Sequence, residues 1–122
     1  MQLNHLDLSV SDVATASAFL IRHFGFTLLQ TKGNHGMAVL AGDGGLVLVL
    51  TRHEEPTYPK TFHIGFLVDD AGKVGAKHAE LAAAGVNGLS PVQEMRGGPG
   101  FYCRTDWGIL LEVANRTPLQ AS

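Results

Sequence analysis

The sequence predicts an α+β fold built from two βαβββ modules, and three observations carry that prediction. First, residues 5 to 25 and 63 to 85 repeat one another. His5-Leu6-Asp7-Leu8-Ser9-Val10-Ser11-Asp12 aligns with His63-Ile64-Gly65-Phe66-Leu67-Val68-Asp69-Asp70, so His5 meets His63, Val10 meets Val68 and Asp12 meets Asp70. Second, the repeat reaches the last strand of each half, where Gly45-Leu46-Val47-Leu48-Val49-Leu50 aligns with Gly108-Ile109-Leu110-Leu111-Glu112-Val113. Third, each half runs from an extended stretch through an alanine-rich helical one to further extended stretches broken by glycine. Duplication constrains topology, because matching residues fall at positions related by a pseudo-twofold axis.

From Leu3 to Val10, Leu6, Leu8 and Val10 alternate with His5, Asp7 and Ser9, which predicts a strand with one core face and one polar face. Ser11 or Asp12 caps the following helix, whose Val13, Ala16, Leu20 and Phe24 recur at helical spacing, and Gly25 stops it. Extended stretches follow at Phe26 to Thr31, Met37 to Ala41 and Leu46 to Thr51, separated by turns at Gly33-Asn34 and Gly42-Asp43-Gly44-Gly45. Residues 52–60, with Pro56 and Pro59, read as a linker between module one at 1–51 and module two at 61–116, within a single domain of 1–122. The second module has a strand at Thr61 to Val68, a helix at Ala71 to Ala84 weakened by Gly72 and Gly75, and a weak strand at Val92 to Met95. Strands at Phe101 to Arg104 and Ile109 to Ala114 complete it. Between 86 and 100, glycine and proline break every periodic pattern; Gly97 to Gly100 lacks a helix start after it, so it is no phosphate cradle and reads as a mobile lip over a cavity.

At 122 residues the chain buries about two thirds of its unfolded surface without disulfides. Cys103 is the only cysteine, which excludes an internal disulfide and points to a reducing, cytoplasmic compartment. Nine basic residues against eleven acidic ones, with no basic run, argue against nucleic acid or anionic membrane and for a small molecule or protein as partner. The amino terminus lacks a secretory pattern, and Leu46 to Leu50, the longest aliphatic run, is far too short to span a bilayer, so a soluble protein is expected. Only Thr117 to Ser122 has the polar character of a tail.

By the repeat, Glu112 corresponds to Val49. A carboxylate in an otherwise apolar strand is costly to bury unless it is paired, hydrogen-bonded or bound to a cation, and a metal is the expected relief. Symmetry then gives three ligands, His5, His63 and Glu112, with an inert valine at the fourth corner and an open site. Imidazole with carboxylate suits a first-row divalent ion such as Fe, Mn, Ni, Co or Zn, with positions left for water and substrate. Taken singly, the two histidines read as strand residues in a polar cavity; with Glu112 they read as ligands.

Asp7 and Ser9 share the face of His5, where Asp7 serves as a general base, orients a ligand, or is a solvated rim residue. Tyr102 and Arg104 alternate with Phe101 and Cys103, which sets the polar pair against an anionic or oxygen-rich substrate or leaves it as an ordinary surface pair. Trp107 either stacks on a planar ligand or covers the cavity's edge by packing. His23, His35, His53 and His78 lack a partner carboxylate at ligand spacing and are expected to be largely solvated.

Three segments carry a family resemblance: Asn4-His5-Leu6-Asp7-Leu8-Ser9-Val10-Ser11-Asp12, Phe62-His63-Ile64, and Phe101-Tyr102-Cys103-Arg104-Thr105-Asp106-Trp107-Gly108-Ile109-Leu110-Leu111-Glu112. In this order and at these separations, over nearly the whole chain, the sequence resembles the vicinal oxygen chelate superfamily. That group includes glyoxalase I, extradiol ring-cleaving dioxygenases, fosfomycin-resistance thiol transferases and bleomycin-binding resistance proteins. The resemblance implies that the two modules form a cupped mixed sheet around a divalent metal, with ligands from the first and last strands and a substrate that chelates through neighbouring oxygens. Carried over, the ligands are His5, His63 and Glu112. The glyoxalase I pattern has a further glutamate where this chain has Val49, so the two-histidine, one-glutamate set is closer to the dioxygenases and fosfomycin transferases. Fosfomycin-type enzymes place a threonine where Asp7 stands, and their downstream arginine has no evident partner here; Tyr102 matches their active-site tyrosine.

The implied function is a metal-dependent lyase or isomerase, dioxygenase or thiol transferase acting on a small-molecule substrate. The alternative is a bleomycin-resistance-like protein that sequesters a drug without chemistry, although such members generally lack the ligand set. A third reading is an enzyme-derived domain that keeps the ligands but serves as a partner subunit. A homodimer is also implied, with modules paired within or between chains.

Overall fold

The computed structural model describes residues 1–116; the polar stretch at 117–122 lies outside the described residues. The elements are β1 (His5–Val10), α1 (Val13–Phe24), β2 (Thr27–Lys32), β3 (Met37–Ala41), a 3-10 turn at Asp43–Gly45, and β4 (Val47–Arg52). After a connecting segment come β5 (His63–Val68), α2 (Ala71–Ala83), β6 (Gln93–Met95), β7 (Gly98–Arg104) and β8 (Leu110–Asn115). Each half is thus a βαβββ module, and the chain divides into two compact units, Met1–Thr57 and Tyr58 onward. No helix among the described residues is long and apolar enough to cross a membrane.

The duplicated aspartates explain why both helices start where they do. Asp12 accepts a hydrogen bond from the Thr15 backbone N–H at 3.0 Å, and Asp70 accepts one from the Gly72 N–H at 2.7 Å, each satisfying a donor that the first helical turn leaves open. The Thr15 bond holds the Asp12 carboxyl below its ordinary value. Gly25, at φ 71°, adopts the left-handed conformation that ends α1 and donates back to the Leu20 carbonyl.

Each unit builds a four-stranded mixed sheet, ordered β1-β4-β3-β2 in the first and β5-β8-β7-β6 in the second. The first and last strands of each half pair in parallel, and the remaining pairs are antiparallel. One face of each sheet packs on its own helix. Val10, Leu20, Leu40, Leu48 and Leu50 fill that layer in the first unit, and Val74, Leu81, Phe101, Ile109 and Leu111 fill it in the second; all are buried. Odd-numbered β1 residues turn to the opposite face, as the period of two requires.

The structure corrects two sequence expectations here. His23 and His78 are not solvated: His23 is buried with its ring 5.1 Å from Phe19, and His78 is half-buried against the edge of Phe101 with Nε2 2.9 Å from the Ser90 carbonyl. Both continue a helical core stripe, three residues after Leu20 in α1 and four after Val74 in α2, so helix position outweighs polarity. Nor is Gly97 to Gly100 a mobile lip. Gly98 opens β7 and pairs with Met95, while Gly100 pairs with Gln93. A Cβ on Gly98, at φ 155°, would collide with the Asn115 carbonyl, and one on Gly100 would lie 2.5 Å from Met95 Sδ. These glycines mark close approach inside a sheet rather than a turn.

Deleting side-chain volume from the helix-facing layer is expected to be costly. Leu50→Ala should lower stability by about 3 kcal/mol in urea denaturation, whereas Leu29→Ala, at an exposed position, should stay within about 0.5 kcal/mol of the parent.

Candidate functional site

The polar face of the second unit is organised by Glu112. It lies in β8 between the buried Leu111 and Val113, and its side chain is only 3% exposed. Arg116 donates to the carboxylate from Nη2 to Oε2 at 2.6 Å, His63 places Nε2 3.8 Å from Oε1, and the Tyr102 phenol is a further neighbour. The sequence reading assigned the relief of this buried charge to a metal; the structure supplies it with Arg116, whose side chain is 26% exposed. Residues 112 and 116 share parity, so extended chain carried two residues past Ala114 points both to one face. That parity was the available signal for Arg116.

The tautomer of His63 follows from its other nitrogen. Nδ1 lies 2.8 Å from the Thr61 carbonyl, and a carbonyl only accepts, so Nδ1 carries the proton. In the neutral imidazole, Nε2 then presents a lone pair toward Oε1. Two electron-pair donors face each other across 3.8 Å, an arrangement that either a proton on Nε2 or a cation reconciles.

The neighbours on the same face follow from register. Gly65 and Tyr102 flank Glu112 in one row across β5, β8 and β7. A Cβ on Gly65 would sit 3.2 Å from Glu112 Oε1, so the carboxylate lies over this glycine. Tyr102 meets the His63 ring edge-on at 5.6 Å. Burial raises its phenol above the ordinary value, and the Glu112 charge and hydrogen bond add to that shift. Leu67 continues the face and is 62% exposed. Arg104 is exposed, and Trp107, in the turn between β7 and β8, is buried as a packing residue.

In the first unit, His5 and Asp7 are exposed and Ser9 is half-buried on the corresponding face of β1. Thr51 donates its hydroxyl to Asp7 Oδ1 at 2.8 Å. The structure thus groups His63, Glu112 and Tyr102 in one unit, and aligns His5, Asp7 and Ser9 along one strand of the other. Among the described residues no three His, Cys, Asp or Glu side chains form a metal-sized group.

Two βαβββ modules, each with its first and last strands paired in parallel within one four-stranded sheet, define the class of protein. The Glyoxalase/Bleomycin resistance protein/Dioxygenase superfamily matches residues 2–113, and the chain belongs to that superfamily. It is similar to a structure described as a possible glyoxalase from Bacillus cereus, at 32% identity over 93% of this chain and 98% of that one, with a TM-score of 0.79. A mutant of the fosfomycin resistance protein FosX from Listeria monocytogenes, complexed with Mn(II) and 1S,2S-dihydroxypropylphosphonic acid, shares the fold at 20% identity, 95% and 90% coverage and a TM-score of 0.78. A lactoylglutathione lyase from Agrobacterium tumefaciens shares it at 18% identity, 93% and 92% coverage and a TM-score of 0.73. No curated protein sequence matches the chain. Divalent metal binding occurs within the superfamily, as the FosX complex with Mn(II) demonstrates.

Two outcomes follow from this geometry. Arg116→Met leaves a buried carboxylate short of its partner and should cost about 3 kcal/mol by chemical denaturation, the low end for a broken buried pair because Arg116 keeps contact with water. Adding Glu112→Gln should recover most of that loss. The second concerns alkaline pH. Tyr102 and Cys103 both hold their protons more tightly in the folded chain, the Cys103 thiol pushed up to about 11 by burial and then by the charge of Asp106. Their contribution is therefore complete below the ordinary values and is lost as pH rises through the folded ones. Stability should fall above about pH 9, and Tyr102→Phe should flatten the part of that decline above about pH 10 in urea titrations.

Proposed function

We propose that the chain is a metal-dependent enzyme in which His5, His63 and Glu112 hold a divalent ion that binds neighbouring oxygens of a small substrate. The observation that carries this reading is the His63–Glu112 arrangement, with the Nε2 lone pair opposite Oε1 and each group held from its far side. Metal-bound imidazoles characteristically donate the other ring N–H to a carbonyl, and ligating carboxylates are themselves hydrogen-bonded. Thr61 fills the first role and Arg116 the second, so the donor set fits a first-row divalent ion. Bound there, the ion supplies Lewis acidity to a substrate carbonyl or diolate.

The remaining residues set what is bound. Tyr102, beside His63 and Glu112 on this face, offers its phenol to a substrate oxygen. Arg104, on the same face of β7 as Tyr102, offers a cation to an anionic substituent, and Ser9 offers a hydroxyl. Leu67 adds exposed apolar surface, which fits a substrate with an oxygen-rich end and an apolar end. The fully exposed edge strand β2, with Leu28 46% and Leu29 59% exposed, supports a homodimer, since bare apolar edges invite cover. The single buried thiol of Cys103 fits a reducing, cytoplasmic setting.

The test is elemental analysis of protein purified without chelator, followed by calorimetric titration with Mn(II), Co(II), Ni(II), Zn(II) and anaerobic Fe(II). One ion per site is expected, with affinity lowered by about 100-fold in His5→Ala, His63→Ala and Glu112→Ala. Metal binding that survives all three substitutions would overturn the reading.

A further inference from the structure

On the helix side of the first sheet, α1, β2 and β3 enclose a cavity of about 210 Å³. Every residue that lines it falls within 13–38, so the cavity belongs to the first unit alone. Ser17 stands in its wall at 8% exposure, and the hydroxyl is buried with no hydrogen-bond partner among the described residues. A serine in mid-helix ordinarily returns its hydroxyl to a carbonyl one turn back or points it to solvent, and this one does neither. The strand opposite is shaped around the same space. Leu28 pairs with Leu40 and Thr31 with Ala38. Leu40 and Ala38, two residues apart and both buried, share the side that faces α1. Leu28 and Thr31 are three apart and would fall on opposite sides of a regular strand; the register shift between Leu28 and Gln30 brings both to the cavity wall. At the hairpin end Gly33, Asn34 and His35 take φ of 62°, 53° and 66°, and His35, itself exposed, completes the lining.

We infer that this cavity is a binding site for a small uncharged alcohol, with an apolar body about the size of an aromatic ring and one hydroxyl. Volume sets the size: an aliphatic-lined cavity of about 150 Å³ admits benzene, so about 210 Å³ holds a ring with a substituent. The lining sets the charge. Among the described residues that form it none is Lys, Arg, Asp or Glu, and an ion placed there would lose hydration without gaining a counter-charge. Most of the wall is aliphatic, which matches the apolar body. The Ser17 hydroxyl, donor and acceptor at once, turns about its one side-chain bond to meet the hydroxyl of the ligand. The site lies across the sheet from His5, Asp7 and Ser9, and it stands whether or not a metal binds to the chain.

The experiment is an NMR titration of the 15N-labelled full chain with phenol and with toluene, which has nearly the same shape and no hydroxyl. Phenol should give saturable shifts concentrated at the amides around Ser17, Thr31 and His35. Ser17→Ala should weaken phenol about fivefold, the loss of one neutral hydrogen bond, and leave toluene within about twofold of the parent. Ala18→Leu, which fills the cavity from an exposed helix position, should abolish both. The amide spectrum of each ligand-free variant checks the fold; if Ala18→Leu disturbs it, the contrast between phenol and toluene in Ser17→Ala decides alone. Absence of saturable shifts at these amides up to about 10 mM phenol, shifts centred elsewhere, an unchanged phenol affinity in Ser17→Ala, or binding that survives a folded Ala18→Leu overturns the assignment.

Discussion

A negative charge enclosed in an apolar strand has to be answered by its surroundings, and Glu112 sets that condition for the second half of this chain. Leaving it unanswered would cost several kcal/mol, a large share of the stability of a domain this size. The neighbours can be read as answers. Arg116 neutralises one oxygen, His63 turns Nε2 to the other, and Gly65 leaves room for the group beside it. Burial, and after it the same charge, hold the Tyr102 proton more tightly than in a free phenol.

The duplication preserved the layer beneath the sheet and revised the face above it. Both helices begin at a capping aspartate and press leucine or valine into the same side of their sheets. Packing constrains those positions tightly, since interiors tolerate little change of volume. The open face carries no such constraint, and there the halves differ: Asp7 opposes Gly65, Ser9 opposes Leu67, Val49 opposes Glu112 and Val39 opposes Tyr102.

How much of this was legible in the sequence depended on whether a feature is periodic. Alternation from His5 to Val10, the helical recurrence of Val13, Ala16 and Leu20, and the paired caps all repeat at fixed intervals, and the βαβββ order followed from them. The opposition of His63 and Glu112 was readable because the repeat aligned first and last strands. Arg116 was missed because the closing strand was read as ending at Ala114, two residues before it, and even the strand's end at Asn115 stops one residue short of it. Gly98 and Gly100 were missed because a glycine needed for contact looks the same in sequence as one needed for a turn. The lean of Glu112 over Gly65 is a rotamer choice, which no one-dimensional pattern records.

In both halves, the strand that opens a module lies parallel to the one that closes it, and every strand pair stays within its own half. Among the described strands, the ladders of a module form without any strand of the other half. A mutation on one open face therefore has no ladder in the other half to disturb. Selection can rewrite the chemistry of either half by exchanging the residues of a single cross-strand row, while the scaffold that carries them goes unchanged.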